Sequence, residues 1–183
     1  MVKKNNYNKK YDICCVGRLT EQKNPKKFIE IVKKLKDINK NIRAVWVGTG
    51  ELYEDAIKYR NDLNLQKNIS FLGFQKNPYK YMASSKIFML TSDWEGYGLV
   101  AFEALTLGLP CVVSNVGGLP KIVNNKCGLL ASDINEYIKE ISNLLNSKDY
   151  YDAKANYAIK QSKTLENICK YMEKLNKIYG ELK

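Results

Sequence analysis

Two carboxylates with glycines between them make up the part of the sequence best suited to chemistry. In "EGYGLVAFE", seven residues separate Glu95 from Glu103, and Gly96 and Gly98 precede an apolar helical run that begins near Leu99. We expect both glycines to turn the chain sharply into this helix, which leaves its first backbone amides unpaired. Unpaired amides at a helix N-terminus bind anions, so the segment predicts a seat for a phosphate group.

The two carboxylates would extend this anion site on both sides. Glu103, about one turn inside the helix, could accept two hydrogen bonds from a vicinal diol such as a ribose. An ionised group on an otherwise apolar helix needs such partners, because burying it without them is costly. Glu95 lies ahead of the turn, where it would meet a group beyond the phosphates. The pattern therefore suits a sugar joined to a nucleoside diphosphate better than a bare nucleotide.

A second loop, "GRLTEQKN", supplies two cations after an apolar run. Taken singly, Arg18 and Lys23 are typical of solvated surface charges. Beside a helix N-terminus, the guanidinium and the ammonium would together hold a diphosphate, because both attract a concentrated anion. The residues alone leave both interpretations open.

Two common nucleotide-binding motifs are excluded by the sequence. In "GTGELY", Gly48 and Gly50 would begin a dinucleotide fingerprint, but Tyr53 stands where its third glycine belongs. No G-x-x-x-x-G-K-[ST] motif of a P-loop occurs either. We therefore interpret "GTGE" only as a loop that a ligand can approach closely.

Short apolar runs, which must position these loops, alternate with longer amphipathic ones. Buried strands are predicted at 11–17, 42–48, 69–73, 86–92 and 110–115. Helices are predicted at 24–38, 51–64, 77–85 and from Leu99, the first with Pro25 in its first turn and the third with Asn77 as its cap. This alternation predicts an α/β domain with a doubly wound, Rossmann-like parallel sheet. The loops described above follow its strands, at the edge where such sheets bind ligands.

The last part of the chain has a different pattern. From Asp133 onward we expect only helices, at about 133–146, 149–161 and 164–181. The last of them carries an apolar stripe, which packing on the domain's own core or docking on a partner domain would explain. The residues of the stripe are Leu165, Ile168, Met172, Leu175, Tyr179 and Leu182. We predict one domain over 11–183, preceded by a basic tail at 1–10.

Composition and charge exclude several classes of protein. The 183 residues are 45% hydrophobic and 27% charged, which is typical of a globular protein that is neither disordered nor membrane-spanning. Without histidine, His-based catalytic triads are excluded, and without C-x-x-C motifs zinc sites are too. The cysteines are interpreted as reduced core thiols of a cytoplasmic protein, and export is not expected, because the first residues lack the apolar run of a signal peptide. They are Cys14, Cys15, Cys111, Cys127 and Cys169.

The net charge of +11 has two interpretations, a solvated lysine-rich surface or attraction to a polyanion. The lysines are spread through amphipathic helices, and no nucleic-acid-binding motif accompanies them. We therefore expect no nucleic-acid partner. Peripheral association with the inner face of a membrane remains an alternative.

At this point the segments resemble a known family. "EGYGLVAFEALTLGLPCVVSNVGGLPKIV" closely resembles the E-x7-E signature of retaining glycosyltransferase family 4, the "glycosyl transferases group 1" family. "VGRLTEQKN" resembles the family's diphosphate loop, and "VGTGE" and "FLGF" resemble its other nucleotide-side loops, in the same order. The resemblance covers about residues 11–145. It implies that the chain is the C-terminal, nucleotide-sugar-binding domain of a two-domain GT-B fold.

The resemblance also implies roles for individual residues. Arg18 and Lys23 would hold the diphosphate, Glu103 the ribose and Glu95 the hydroxyls of the donor sugar, so that Glu95, Arg18 and Lys23 would be catalytic. The donor, a UDP-sugar or GDP-sugar, would need no metal ion, cofactor or protein nucleophile. The implied donor-binding residues are Gly17, Arg18, Lys23, Gly48, Gly50, Gly73, Phe74, Glu95, Gly96, Tyr97, Gly98, Leu99, Val100 and Glu103.

The reaction implied is transfer of a hexose-type sugar to an acceptor hydroxyl with retained anomeric configuration, in the synthesis of a cell-surface polysaccharide or glycolipid. Only about ten residues precede the first strand, so the family's N-terminal acceptor domain has no counterpart, and we expect this chain to be inactive alone. Two alternatives stay open. One is a catalytically silent nucleotide-sugar-binding subunit with a partner chain, and the other is half of a GT-B nucleotide-sugar epimerase.

Overall fold

A parallel β-sheet forms the centre of the protein. The computed structural model describes the backbone of residues 9–180 and the side chains of residues 9–165. The strands of this part are β1 Tyr11–Val16, β2 Ala44–Val47, β3 Ile69–Phe71, β4 Ser85–Leu90, β5 Cys111–Ser114 and β6 Gly128–Ala131. They pair in parallel in the order β3-β2-β1-β4-β5-β6. The chain thus winds outward from β1 in one direction and then in the other, which confirms the predicted doubly wound sheet.

Helices cover both faces of the sheet. They are α1 Pro25–Ile38, α2 Tyr53–Asp62, α3 Tyr79–Ala83, α4 Leu99–Thr106, α5 Leu119–Ile122, α6 Ile134–Asn146 and α7 Lys148–Gly180, with a short 3-10 turn at Glu21–Lys23. Because both faces are covered, β1, β2, β4 and β5 are buried along nearly their whole length.

The core follows the predicted periodicities. Helix α1 buries Phe28, Ile31, Val32 and Leu35 on one face, as their spacing predicted, and Pro25 occupies its first turn. The ring of Phe28 meets Trp46 of β2 edge to face, with 5.0 Å between the ring centroids. Aromatic and branched aliphatic side chains therefore fix the distance between α1 and the sheet.

The sheet has a sixth strand that the sequence pattern did not predict. Strand β6 has four residues, of which only Gly128 and Ala131 are buried, because it lies at the edge of the sheet beside β5. A run this short cannot be distinguished from a loop by periodicity. A Cβ atom on Gly128 would lie 1.8 Å from the carbonyl oxygen of Cys111, so the backbones pack directly.

The C-terminal part is helical, as predicted, but the helices expected at 149–161 and 164–181 are one continuous helix, α7. Neither glycine nor proline interrupts the junction, where the hydroxyl of Ser162 donates to the carbonyl of Ile159 at 2.9 Å. Leu165 is buried, whereas the other five residues of the predicted stripe lie outside the described side chains.

One smaller expectation was wrong, and one short helix was not predicted. Helix α3 begins at Tyr79 with Pro78 at its N-cap position, and no side chain caps it, so Asn77 does not have the predicted role. Helix α5 was not predicted at all, because its four residues are too few to show a helical period.

The described cysteines are free and buried, which agrees with the prediction of reduced core thiols. Burial raises the pKa of the Cys14 thiol to about 12. Cys169 lies outside the described side chains. None of the described helices combines the length and the apolar character needed to cross a lipid bilayer.

Candidate functional site

A cleft opens where the order of the strands reverses. Strands β1 and β4 are neighbours but their connections run to opposite sides, which creates a crevice beyond their carboxyl ends. The cleft has a volume of about 400 Å³, and its walls come from the segments that follow these two strands. The lining residues are Val16, Gly17, Lys23, Glu95, Tyr97, Gly98, Leu99 and Val100. All of them except Val16 were predicted to bind the donor.

An ion pair joins the two sides of this cleft. The ammonium of Lys23 contacts Oε2 of Glu95, and the two side chains expose only 13% and 10% of their surface. The hydroxyl of Ser92 donates to the same carboxylate oxygen at 3.1 Å. Among the described residues, Oε1 of Glu95 accepts no hydrogen bond and the ammonium of Lys23 donates only to Glu95. The pair thus keeps unused donors and an unused acceptor beside the cleft.

Hydrogen bonds that the sequence did not predict align the two loops. The amide of Asn24 donates to the carboxylate of Asp93 at 2.9 and 3.1 Å, and the backbone N–H of Asp93 donates to the carbonyl of Gln22 at 2.9 Å. The side-chain amide of Gln22 donates in turn to the carbonyl of Trp94 at 3.0 Å. These contacts hold the loop that carries Lys23 against the loop that carries Glu95.

Helix α4 presents its N-terminus to the cleft. Gly98 has a φ of 80°, in the left-handed region, and a Cβ atom there would lie 2.6 Å from Cδ2 of Leu119. The first turn of the helix closes from Ala101 to the Gly98 carbonyl, and the N–H groups of Leu99 and Val100 have no acceptor among the described residues. The predicted glycine turn and its free amides are therefore present at Gly98.

Gly96 differs from Gly98. It has no positive φ, so the turn itself does not require glycine there, contrary to our expectation. A Cβ atom on Gly96 would meet nothing within 4 Å. The carbonyl of Gly96 accepts a hydrogen bond of 2.8 Å from the N–H of Gly118, and Gly117 lies against the carbonyl of Glu95. The loop after β5 thus supports the glycine turn, a role that the sequence analysis missed.

The glycines of the other two loops pack against the chain itself. The N–H of Gly48 donates to the carbonyl of Gly73 at 2.8 Å, and a Cβ atom on Gly48 would lie 2.0 Å from the carbonyl oxygen of Gly17. A Cβ atom on Gly50 would lie 2.3 Å from the carbonyl oxygen of Leu19. The backbone of the chain itself therefore occupies the space beside Gly48 and Gly50 into which a ligand was predicted to come. Phe74, which follows Gly73, exposes 77% of its surface to solvent.

Two of the four predicted charged residues also lie outside the walls of the cleft. Arg18 is exposed and takes part in none of the ion pairs found among the described side chains. Glu103 is half-buried on α4, where its Oε1 accepts a hydrogen bond of 3.3 Å from the hydroxyl of Tyr79. The negative charge of Glu103 raises the pKa of Tyr79, which therefore stays protonated and remains a donor. Nothing in the sequence links these two residues, which are 24 positions apart.

A larger cavity, of about 520 Å³, lies at the opposite edge of the sheet. Its acidic member, Asp12, already accepts hydrogen bonds from the ammonium of Lys86 at 2.8 Å and from the backbone N–H of Arg43 at 3.0 Å. The carboxyl edge is where parallel α/β sheets bind ligands, and it has the unpaired amides. We therefore place the candidate site in the smaller cleft.

Comparison with known proteins identifies relatives of this chain. The sequence profile of the family "Glycosyl transferases group 1" matches residues 1–161. The UDP-Gal:alpha-D-GlcNAc-diphosphoundecaprenol alpha-1,3-galactosyltransferase of Escherichia coli is 34% identical over 174 residues, which cover 91% of this chain and 44% of that protein. The chain thus spans less than half the length of this relative.

Solved structures share the fold. The complex of TarM from S. aureus with Fondaparinux, alpha-GlcNAc-glycerol and UDP superposes with a TM-score of 0.77 at 25% identity, covering 88% of this chain and 34% of TarM. The C-terminal domain of the group 1 family protein LpcC from Francisella tularensis superposes with a TM-score of 0.75 at 22% identity, covering 85% of both chains. The second match extends over most of an isolated C-terminal domain.

Proposed function

Because the chain belongs to the glycosyl transferases group 1 family, we propose that it is the donor-binding half of a retaining glycosyltransferase of GT-B fold. The observation that carries this proposal is the cleft at the strand reversal, where the Lys23–Glu95 pair faces the free amides of α4. Cations, amides and a carboxylate around one crevice match the phosphates and the sugar of a nucleotide-sugar.

The diphosphate would bind across the two loops. Lys23 has three ammonium hydrogens, of which one contacts Glu95 and the others are available for phosphate oxygens. Arg18 is exposed beside this loop and would move onto the diphosphate. The amides of Gly98 and Leu99, at the N-terminus of α4, would donate to the phosphate oxygens. The free Oε1 of Glu95 would accept a hydroxyl of the donor sugar.

The nucleoside would extend away from the phosphates. Glu103 would accept the ribose hydroxyls, and the segment around Gly73 and Phe74 would border the base. The TarM structure contains UDP, and the name of the E. coli relative gives UDP-Gal as its donor, so a UDP-sugar is the first donor to test and a GDP-sugar the second.

In the proposed reaction, the acceptor hydroxyl attacks the anomeric carbon as the bond to the diphosphate breaks. Arg18, Lys23 and the amides of α4 would stabilise the negative charge that develops on the leaving diphosphate. An oxygen of this diphosphate would take the acceptor proton on the same face of the sugar, which retains the configuration. The scheme requires no metal ion, cofactor or protein nucleophile.

We further propose that this chain binds donor but does not transfer sugar by itself. The E. coli relative is more than twice as long as the matched segment, and the rest of its length would supply the acceptor side. Transfer requires the acceptor to be held against the anomeric carbon, which one wall of a cleft cannot do. The acceptor of that relative is attached to diphosphoundecaprenol, so a lipid-linked acceptor and a place at the cytoplasmic membrane surface fit this chain, in the synthesis of a cell-surface polysaccharide or glycolipid.

The experiment is a titration of the chain with UDP and GDP by calorimetry. Arg18→Ala should weaken binding of the preferred nucleotide roughly 10- to 100-fold, the effect of losing one charge-assisted contact. Arg43→Ala, which removes an exposed arginine from the opposite edge of the sheet, is the matched control and should change nothing. Equal affinity in the wild type and Arg18→Ala would contradict the diphosphate clamp.

A further inference from the structure

Tyr79 occupies a position that the proposed donor site leaves unexplained. It begins α3, directly after the segment that carries Gly73 and Phe74, and its hydroxyl reaches Glu103 on α4. The residue exposes 48% of its surface, so burial of apolar surface does not explain a tyrosine there. The contact joins the segment assigned to the base with the carboxylate assigned to the ribose.

Glu103 has an unusual set of neighbours for a carboxylate. No basic residue lies in the last turn of its helix, and none of the ion pairs among the described side chains includes it. Its Oε1 accepts from Tyr79, and its Oε2 has no donor among the described residues. Such a carboxylate keeps most of its acceptor capacity while one hydrogen bond restricts its rotation.

We infer that Tyr79 is a positioning residue, which orients the carboxylate of Glu103 toward the vicinal diol of the bound ribose. This inference rests on the proposed function. The phenol donates to one lone pair of Oε1, and the remaining lone pairs of both oxygens face the two ribose hydroxyls. Because the carboxylate is already oriented, less side-chain entropy is lost when the nucleotide binds.

The test compares UDP with 2′-deoxyuridine diphosphate, which lacks one hydroxyl of the diol. Tyr79→Phe should weaken UDP binding roughly 3- to 10-fold, the effect of one hydrogen bond, and should weaken binding of the deoxy analogue much less. The preference for UDP over the analogue should therefore fall. A merely structural tyrosine would affect both nucleotides equally, so an unchanged preference overturns the inference.

Two further variants complete the test. Tyr81→Phe on the same helix removes a tyrosine hydroxyl that donates to Oε1 of Gln75 at 3.0 Å, and it should leave the preference intact. In a Glu103→Ala background, which removes the acceptor of the Tyr79 hydroxyl, Tyr79→Phe should produce no additional loss, because both changes act on one contact. An additional loss as large as in the wild type would contradict action through Glu103.

The proposed function fails separately from this inference. If the wild-type chain binds neither UDP nor GDP, the donor site itself is wrong. If it binds UDP and Arg18→Ala weakens binding, but Tyr79→Phe leaves the nucleotide preference unchanged, only the role of Tyr79 is wrong.

Discussion

Among the described side chains, two lysine–glutamate pairs are almost equally buried and yet differ in kind. Lys23 and Glu95 expose 13% and 10% of their side chains, and Lys154 and Glu140 expose 9% and 8%. The first pair joins two loops at the cleft, whereas the second joins α6 to α7. Burial alone therefore does not distinguish a structural pair from a functional one.

The number of satisfied hydrogen-bonding groups does distinguish them. Lys154 contacts Oε1 of Glu140 at 2.8 Å and also donates to the carbonyls of Asn125 and Gly128, both at 2.9 Å. Both oxygens of Glu140 accept from the hydroxyl of Tyr150 as well. In this pair all three ammonium hydrogens and both carboxylate oxygens have partners in the protein, whereas the Lys23–Glu95 pair keeps two ammonium hydrogens and one carboxylate oxygen without one.

The largest effect should come from breaking the saturated pair. Lys154→Met leaves Glu140 buried without its cation and leaves two carbonyls without a donor, so the free energy of unfolding should fall by about 3–5 kcal/mol. Urea denaturation followed by circular dichroism measures this. Lys160→Met, at an exposed position of the same helix, should change stability by about 0.5 kcal/mol or less. A loss below about 1 kcal/mol in Lys154→Met would mean that the pair is not structural.

Breaking the Lys23–Glu95 pair in the cleft should instead affect nucleotide binding much more than stability. In Lys23→Met, Glu95 keeps the hydrogen bond from Ser92, and its free Oε1 borders the open cleft, so we expect a stability loss of about 1 kcal/mol or less. Nucleotide binding should weaken roughly 10- to 100-fold, because a charge-assisted contact to the diphosphate is lost. Calorimetry and denaturation on the same variant check both parts. A large loss of stability with unchanged nucleotide binding would mean that the Lys23–Glu95 pair is structural rather than functional.

Sequence reasoning identified the residues of the cleft but not what holds them. Lys23, Glu95 and Gly98 were predicted because each residue type has a chemical use at the carboxyl edge of a parallel sheet, and the structure brings all three into one cleft. Tyr79 could not be predicted, since its contact with Glu103 depends on how α3 lies against α4. Contacts between elements distant in sequence leave no local pattern.

In the fold, too, the features that have a local sequence pattern were predicted and the others were not. The doubly wound sheet follows from the alternation of apolar and amphipathic runs, and five strands were predicted close to their observed bounds. The edge strand β6 and the short helix α5 were missed, because four residues are too few to establish a period. The second buried ion pair was missed as well, since Lys154 and Glu140 on their helices are indistinguishable in sequence from the many surface charges.

The smallest predicted effect concerns alkaline pH and separates the two pairs once more. Burial lowers the pKa of Lys154, but the hydrogen bonds and charges of Glu140 and Tyr150 outweigh it, so the pKa is raised above its ordinary value of 10.5. A cation whose pKa is raised on folding contributes stability that is fully present below pH 10.5 and is lost as the pH rises through the folded value. The difference in unfolding free energy between the wild type and Lys154→Met should therefore be constant from pH 8 to about pH 10 and shrink above about 10.5. Subtracting the variant removes the titration of the tyrosines that do not contact this pair, and carrying Tyr150→Phe in both proteins removes the Tyr150 hydroxyl, which contacts Glu140. A difference that stays constant up to pH 11.5 would show that Lys154 acts through the packing of its carbon chain rather than through its charge.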